Sequence, residues 1–423
     1  MNPLAFLFCS LVVFLWSPSS ALSENWPQFR GPNGQGHSSE TNLPTQWSRD
    51  EHIAWFAPVP GDSWSSPVVW DNHVFVTTAT EGGASCRVIA IDRLDGSILW
   101  DREVFRQETL RKERRNTYAT PSPATDGTRV YATFAAGGVA ALSFSGEILW
   151  TNLDYPFYSQ HGLGASPIVH DERLILCHDG SSRGPDTKIG WQTPWDQSFV
   201  LALDTETGEQ VWKTGRGLSR ISHGSPAIWE PKSGEAQIVT EAGDVIQGYD
   251  SASGRLLWSG EVRGEGKVPS VTLGDAMVYT AGGWDGKETI KGFHLGGEGQ
   301  LGETNLVWEQ RKNMPKVPSM LLLDSGLFAV TDGGIAALMD EKTGELIYQE
   351  RVGATFAASP LAADGQVYLV SDGGETFILS AGPTFKILAR NPLEESVQAT
   401  PAISQGSLFI RTEAGVYRIS AVD

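Results

Sequence analysis

Short runs of hydrophobic and β-branched residues alternate with polar turn residues along most of this 423-residue chain. Residues 74–77 and 130–133 are typical runs, and they follow the turns Asp71-Asn72 and Asp126-Gly127. Runs of this length and composition are typical of β-strands and too short for stable helices. The pattern therefore predicts an all-β protein with many short strands.

A small residue next to a proline marks the start of each group of strands. The prolines stand about 40–60 residues apart, which is the spacing of four-stranded propeller blades. The instances are Ser66-Pro67, Ser122-Pro123, Ser166-Pro167, Ser225-Pro226, Ser359-Pro360 and Thr400-Pro401, with the variants Val268-Pro269-Ser270 and Val317-Pro318-Ser319. The repeats favour one β-propeller over several separate domains.

A second motif, Asp-x-x-x-Gly-x-x-x-Trp, occupies residues 92–100, 204–212 and 250–258, and residues 340–348 with tyrosine at the last position. Its aspartate can accept hydrogen bonds from the turn backbone, and its glycine permits a positive φ. We therefore interpret these aspartates as turn residues and not as catalytic groups. The terminal tryptophan is predicted to pack between neighbouring blades, whose faces cannot be buried within one sheet.

The two ends of the chain predict how the ring closes. The last repeat supplies only three strand-like runs, at residues 402–403, 408–410 and 416–419, and an isolated run at residues 53–56 precedes the first Ser-Pro. We expect the N-terminal run to complete the last blade and so remove an exposed edge. The predicted fold is an all-β, eight-bladed β-propeller, with residues 52–423 as a single domain.

The N-terminal residues resemble an export signal. Residues 4–16 form an apolar run too short to span a bilayer comfortably, and small residues follow at 17–23. We predict a signal peptide at residues 1–23 and an N-terminal strap at residues 24–51, in a protein exported to the periplasm or cell surface. Because the first three residues include no Lys or Arg, a retained membrane anchor is the alternative.

Charge and cysteine content limit the function classes. The formal net charge of −18 argues against binding of nucleic acid or anionic lipid. Outside the leader only Cys86 and Cys177 remain, in different repeats, and we expect two free, mostly buried thiols. No cysteine and histidine spacing typical of a zinc site is present. We expect a monomer without a membrane-spanning segment after signal cleavage.

The tryptophan motif resembles that of the PQQ-like, or quinoprotein-type, propeller repeats over nearly all of residues 50–421. Residues 26–32, Trp-Pro-Gln-Phe-Arg-Gly-Pro, look like the opening of many exported bacterial propellers of this class. The resemblance implies one of two functions. One is that of the PQQ-dependent dehydrogenases, and the other is that of outer-membrane assembly factors, which bind protein partners and no quinone.

The dehydrogenase branch carries features that are absent from this sequence. It typically uses an adjacent cysteine pair, a catalytic aspartate and a calcium ligand set, and none of these can be placed here. We therefore expect no cofactor and a non-catalytic module that binds protein, peptide or glycan partners. The alternatives are an oxidoreductase using PQQ with calcium, and another enzyme, such as a lyase or hydrolase, at the same channel mouth.

Loops that join the last strand of one blade to the first strand of the next converge on one mouth of a propeller channel, where binding sites are commonly placed. Cations and aromatic residues in these loops suggest a pocket for an anionic or extended ligand. The structural alternative is that they only pack across the channel or face solvent. The predicted ligand-binding residues are Trp64, Arg115, Tyr118, His161, His223, Lys267, Lys316, Phe356 and Gln398.

A long polar insertion at residues 181–197 carries Trp191 and Trp195. It lies between the second and third strands of the third repeat. Two tryptophans on such a loop suggest a lid or contact surface. The alternative is that they cover a neighbouring blade.

Export gives the first testable prediction. Protein purified from its native host should begin between Leu22 and Trp26, because the small-residue stretch before that point is the expected cleavage region. N-terminal sequencing measures this directly. A mature chain that retains Met1 would contradict the signal peptide and favour the anchor.

Overall fold

The computed structural model describes residues 24–284, 286, 289–301, 305–312 and 314–420. The predicted signal peptide lies outside the described residues. Within them, 33 strands form eight sheets, and one short 3₁₀ turn spans Glu81–Gly83. Apart from one added parallel strand, neighbouring strands in every sheet pair antiparallel. This confirms the prediction of an all-β, eight-bladed propeller.

The strands of the first half are β1 (Ile53–Pro58), which belongs to blade 8; β2 (Val68–Trp70), β3 (His73–Thr80), β4 (Ser85–Asp92) and β5 (Ile98–Arg106) of blade 1; β6 (Ala124–Thr125), β7 (Arg129–Thr133), β8 (Val139–Ser143) and β9 (Ile148–Asn152) of blade 2; β10 (Ile168–His170), β11 (Arg173–His178), β12 (Phe199–Asp204) and β13 (Gln210–Gly215) of blade 3; and β14 (Ala227–Trp229), β15 (Gln237–Glu241), β16 (Val245–Asp250) and β17 (Leu256–Glu261) of blade 4.

The remaining strands are β18 (Thr272–Leu273), β19 (Met277–Thr280), β20 (Ile290–His294) and β22 (Leu306–Gln310) of blade 5, with β21 (Gly299–Gln300) added to blade 4; β23 (Leu321–Leu323), β24 (Gly326–Val330), β25 (Ile335–Met339) and β26 (Leu346–Arg351) of blade 6; β27 (Leu361–Ala363), β28 (Gln366–Val370), β29 (Glu375–Ser380) and β30 (Ile387–Pro392) of blade 7; and β31 (Ala402–Ser404), β32 (Ser407–Arg411) and β33 (Gly415–Ser420) of blade 8.

The N-terminal strand closes the ring as the sequence predicts. β1 pairs antiparallel with β33, and Phe56 lies opposite Tyr417 in the register. Their ring centroids are 4.5 Å apart. This pairing supplies the fourth strand of blade 8. The edge of β33 is therefore covered, and the blade is complete.

Among the described residues, the repeated motif joins five pairs of neighbouring blades through one kind of contact. Asp92 accepts the backbone N–H of Leu94 at 2.7 Å, and Gly96 has a φ of 77° in the same turn. A Cβ at Gly96 would lie 2.7 Å from Cδ2 of Trp55, so the indole packs flat on bare backbone. The same tryptophan-on-glycine contact joins Trp100 to Gly146, Trp150 to Gly208, Trp212 to Gly254 and Trp308 to Gly344.

Trp258 packs between blades in a different way. It is 1% exposed and belongs to a cluster of hydrophobic residues from blades 4 and 5 that includes Leu301. Its Nε1 donates to Oε1 of Gln237, in its own blade, at 2.8 Å. The segment between β20 and β22 of blade 5 lacks the aspartate–glycine motif in its sequence. Instead, β21 pairs in parallel with β17 beside Trp258.

The strap runs across the inner strands at one end of the channel. Its backbone and side chains hydrogen-bond to blades 1, 2, 5, 6, 7 and 8. The pairs are Trp26 with Val69, Pro27 with Thr125, Gln35 with Leu273, Arg30 with Met320, Gly36 with Ala362 and Glu24 with Ser404. Because these contacts reach blades on opposite sides of the ring, residues 24–36 run across this end of the channel.

The two cysteines of the described chain, Cys86 and Cys177, are free and buried, as expected.

Replacing Trp212 with alanine should lower the free energy of unfolding by about 3–5 kcal/mol, because a large buried ring is lost between two blades. Urea titration of the purified variant measures the change. Leu218→Ala is the control, since Leu218 is 68% exposed and its loss should cost under about 0.5 kcal/mol. A cost below about 1 kcal/mol for Trp212→Ala would contradict the docking role.

Candidate functional site

A ring of hydroxyl side chains lines the channel. In blades 1 to 7, the small residue of the proline motif donates its backbone N–H to the hydroxyl of the equivalent residue in the next blade. Seven such bonds of 2.8–3.0 Å link Ser66, Ser122, Ser166, Ser225, Ser270, Ser319, Ser359 and Thr400 in that order. Each accepting hydroxyl keeps its own hydrogen for a further acceptor. The motif thus ties the blades together and gives the channel a polar wall.

The hydroxyl ring encloses a cavity of about 340 Å³. Phe29 of the strap lines it, and the strap covers that end of the channel. The other end opens between the loops that join consecutive blades, where Trp64 and Gln398 line the wall. The cavity is therefore a pocket entered from one mouth, with hydroxyls at mid-depth and mixed polar and aromatic groups at the rim.

Five of the nine predicted ligand-binding residues line this cavity. They are Trp64, Arg115, His161, His223 and Gln398. The sequence reasoning missed other lining residues that carry polar or aromatic groups, namely Phe29, Glu113, Asn116, Glu265 and Trp284. Glu113 and Asn116 lie in the same loop as the predicted Arg115.

Trp284 gathers two of the predicted cations at the rim. Nζ of Lys316 lies 4.7 Å from its ring centroid, and Cζ of Arg115 lies 5.2 Å from it. Trp284 is 41% exposed and follows β19, in the loop between the second and third strands of blade 5. This loop lies within a blade and not between blades, so the convergence of the inter-blade loops does not predict Trp284 as a rim residue. The electron-rich face of the indole attracts both cations, and the exposed part of the ring can stack on a ligand.

Two imidazoles from different loops stand close to Trp284 on the rim: a Cβ at Gly266 would lie 3.6 Å from Cδ1 of Trp284 and 3.7 Å from Nδ1 of His161. The ring centroids of His161 and His223 are 6.0 Å apart, and Trp191 packs edge-on against His161 at 5.5 Å. Burial lowers the pKa of His223 to about 3, with a smaller effect from His161, and burial also lowers the pKa of His161. Both side chains are therefore neutral at physiological pH and can each donate and accept a hydrogen bond.

The other four predicted residues do not line the cavity: Lys316 contacts Trp284 at the rim, and the remaining three lie further away. The hydroxyl of Tyr118 donates to the carbonyl of Leu110 at 2.7 Å. Lys267 is buried, and its Nζ lies 3.0 Å from Oε2 of Glu241. Phe356 is 1% exposed and packs in the core between blades 6 and 7.

The insertion between β11 and β12 forms a wall beside the mouth. Trp191 contacts His161, while Nε1 of Trp195 donates to Oγ of Ser198 at 3.1 Å. Arg183 forms an ion pair at 3.2 Å with Glu108, which lies in the loop between β5 and β6. The insertion therefore places one tryptophan at the mouth and uses the other to hold its own shape.

The described residues do not provide a calcium site for PQQ. Nowhere in the described ranges do three or more His, Cys, Asp or Glu side chains gather as metal ligands. Calcium sites need several converging oxygen ligands. The lining of the cavity contains two carboxylates, those of Glu113 and Glu265.

Comparison with known families agrees with the fold and motif. The PQQ_2 family model, described as outer membrane protein assembly factor BamB, matches residues 39–183, 196–293 and 299–382. The chain belongs to this family. Among curated relatives of this BamB-family propeller, the outer membrane protein assembly factor BamB of Yersinia pestis is 21% identical over 322 residues, covering 70% of this chain and 73% of the relative.

A second curated relative is named as a hydrolase. Tetrathionate hydrolase of Acidithiobacillus ferrooxidans is 22% identical over 196 residues. The match covers 41% of this chain and 37% of the hydrolase, so it spans little more than a third of that relative's length.

Solved structures share the propeller fold. BamB from Moraxella catarrhalis superposes with a TM-score of 0.59 at 14% identity, covering 86% of this chain and 96% of that one. Quinohemoprotein alcohol dehydrogenase from Comamonas testosteroni superposes with a TM-score of 0.58 at 11% identity, covering 95% and 81%. At these identities the likeness concerns the fold alone.

Across the residues that the structure describes, no helix is long and apolar enough to cross a membrane.

We predict that the purified protein does not bind PQQ in the presence of calcium, because the cavity lining offers too few carboxylates for the metal. Isothermal titration calorimetry with PQQ and Ca²⁺ should show no saturable heat. A dye-reduction assay with simple alcohols and sugars should show no turnover. Saturable micromolar binding with turnover would contradict the prediction and support the oxidoreductase alternative.

Proposed function

We propose that this BamB-family propeller is an exported, non-catalytic module that captures a protein partner by taking an exposed segment of it into the channel mouth. The observation that carries the proposal is the one-ended cavity with an aromatic and polar rim. The predicted signal peptide at residues 1–23 supplies the route of export, and the mature chain acts outside the cytoplasm.

The size of the cavity favours a segment over a folded domain as the occupant. A volume of about 340 Å³ accommodates a few side chains, not a compact protein. The rest of such a partner would lie on the rim, where Trp64, Arg115 and Trp284 combine the residue types that contribute most to protein interfaces. The ring hydroxyls and the amide of Gln398 can pair with backbone N–H and C=O groups of an extended segment.

Internal contacts hold the mouth in shape before a partner arrives. Asn116 donates its Nδ2 hydrogen to the carbonyl of His161 at 2.8 Å and so connects two rim loops. The backbone N–H of His223 donates to the carbonyl of Lys267 at 2.7 Å and connects two more. A preorganised surface loses less conformational entropy on binding, which favours specific recognition of a flexible segment.

A peptide display experiment tests the proposal. A random peptide library should be selected on the wild-type protein and depleted on the double variant Trp64→Ala/Trp284→Ala. We expect a convergent sequence motif among the retained peptides. Calorimetry with one synthetic peptide should then show at least a tenfold weaker Kd for each single variant, about 1.4 kcal/mol, because stacking surface is lost.

The control is Trp229→Ala. Trp229 ends β14, on the side of blade 4 away from the mouth, and its Nε1 donates to the carbonyl of Asp275. Its replacement should leave the Kd within twofold. Equal weakening by Trp229→Ala, or no convergent motif, would overturn the proposal. Binding confined to glycans on an array would redirect the same mouth to a carbohydrate partner.

A further inference from the structure

The eight hydroxyl residues of the ring all line the axial cavity, and each is only 1–6% exposed. Seven of their hydroxyls accept a backbone N–H from the preceding blade. Within the described part of the chain, none of the eight donates its own hydroxyl hydrogen to a protein acceptor. The ring therefore presents a set of buried hydroxyl donors to the cavity. Its members are Ser66, Ser122, Ser166, Ser225, Ser270, Ser319, Ser359 and Thr400.

Other buried hydroxyls close to this ring do have protein acceptors. Ser63 donates its Oγ hydrogen to the carbonyl of Ala119 at 2.8 Å, and Thr77 donates its Oγ1 hydrogen to the carbonyl of Pro121 at 3.0 Å. Buried polar hydrogens in folded proteins are almost always hydrogen-bonded, to the protein itself, to water or to a ligand. Because the ring residues line a cavity of about 340 Å³, a group that enters the cavity can accept their hydrogens.

The charged side chains around the cavity nearly cancel one another, so the hydroxyl ring decides the polarity at mid-depth. Glu113, Glu265 and Arg115 line the cavity, and Lys316 contacts Trp284 at the rim. These charged residues belong to the loops between blades, at the mouth. The carboxylate of Glu113 accepts the backbone N–H of Arg115, which engages part of its charge within its own loop.

A pocket with one entrance suits the end of a polypeptide better than its middle. Residues 24–36 run across the other end of the channel, so a continuous segment would have to enter and leave through the same mouth. The returning strand would lie about 5 Å beside the entering one. A volume of about 340 Å³ leaves room for only a few side chains in all. A chain end avoids the second pass.

A carboxylate matches the hydroxyl ring better than an ammonium group does. An ionised carboxylate only accepts hydrogen bonds, through two oxygens, whereas an ammonium group only donates them. Hydroxyl hydrogens donated to a carboxylate form short, charge-assisted bonds that are stronger than neutral ones. An N-terminal ammonium would leave the ring hydrogens without acceptors. Of the two ends of a polypeptide, the C-terminus therefore fits the ring.

We propose that the mouth takes in the free C-terminus of its partner, and that the terminal carboxylate accepts hydrogen bonds from the hydroxyl ring. This inference rests on the proposed function and specifies which part of a partner is captured. Phe29, Val268 and Val317 also line the cavity and offer apolar surface to the last side chain. The amide of Gln398 can pair with the last peptide groups. The preferred ligand is a tail that ends in an apolar residue.

Two matched pools of short random peptides test the assignment. One pool carries a free C-terminal carboxylate and the other a C-terminal amide, and mass spectrometry identifies the peptides that the purified protein retains. We expect the acid pool to yield a motif aligned on the last residues. By calorimetry, the amide form of one retained peptide should bind at least tenfold more weakly than the acid, a difference of about 1.4 kcal/mol.

The two proposals fail in different ways in this experiment. Equal retention of one motif from both pools would overturn the role of the terminal carboxylate and leave the capture of a segment intact. Retention of no peptide from either pool would overturn both proposals.

Ser66→Ala tests whether the hydroxyl ring holds the carboxylate. The Ser66 hydroxyl is not the acceptor in any of the seven bonds, and its backbone N–H can still donate to Ser122 in the variant. The ring therefore keeps its connections while it loses one donor. The acid peptide should bind about fivefold more weakly, and the Kd of the amide should change by less than about twofold, because only the carboxylate uses this donor.

The matched control is Ser233→Ala. Ser233 is exposed in the loop between β14 and β15, at the end of blade 4 away from the mouth. This variant should leave the Kd of both peptides unchanged. An unchanged Kd of the acid in Ser66→Ala, or equal weakening of acid and amide, would overturn the proposal.

Discussion

A four-stranded blade exposes two apolar faces, and neither is buried within the blade itself. Everything else in this molecule depends on how one blade covers the next. The recurring solution places an indole flat on a glycine backbone: Trp55 on Gly96 and Trp212 on Gly254 are two cases. Because a Cβ on these glycines would overlap the indole, the contact requires the turn and the tryptophan together. The ring closes only when β1 supplies the missing strand of blade 8.

The same ring creates the site. Within the described residues, seven bonds run from a backbone N–H of one blade to a hydroxyl of the next. These bonds fix the starts of the inner strands relative to one another. Small side chains at these positions leave an axial cavity instead of a filled core. The loops above it need no regular structure, since the blades beneath them are rigid. Recognition chemistry can therefore be carried by Trp64, Arg115 and Trp284 without a cost to the blades.

The strap changes a channel into a pocket. It bonds to six of the eight blades, and it brings Phe29 to the cavity and Arg30 to a buried position beneath the hydroxyl ring. The polar groups of the two ends differ in kind. The mouth combines aromatic surfaces with cations and neutral imidazoles, whereas the covered end holds Phe29 at the cavity and the buried Arg30.

The sequence alone determined the all-β propeller, its eight blades, the closure by the N-terminal strand and the turn role of Asp92 and its equivalents. These features depend on residues that are close in sequence or repeat at a regular spacing, so local turn chemistry and periodicity reveal them. It also identified five lining residues, because the loops between blades must converge on the channel. Tertiary structure alone decided that Lys267 pairs with Glu241 and that Phe356 lies in the core. It alone placed Trp284 at the rim and Arg30 against Met320, 290 residues away in the chain. Such contacts depend on how the ring brings distant segments together, which no local pattern encodes.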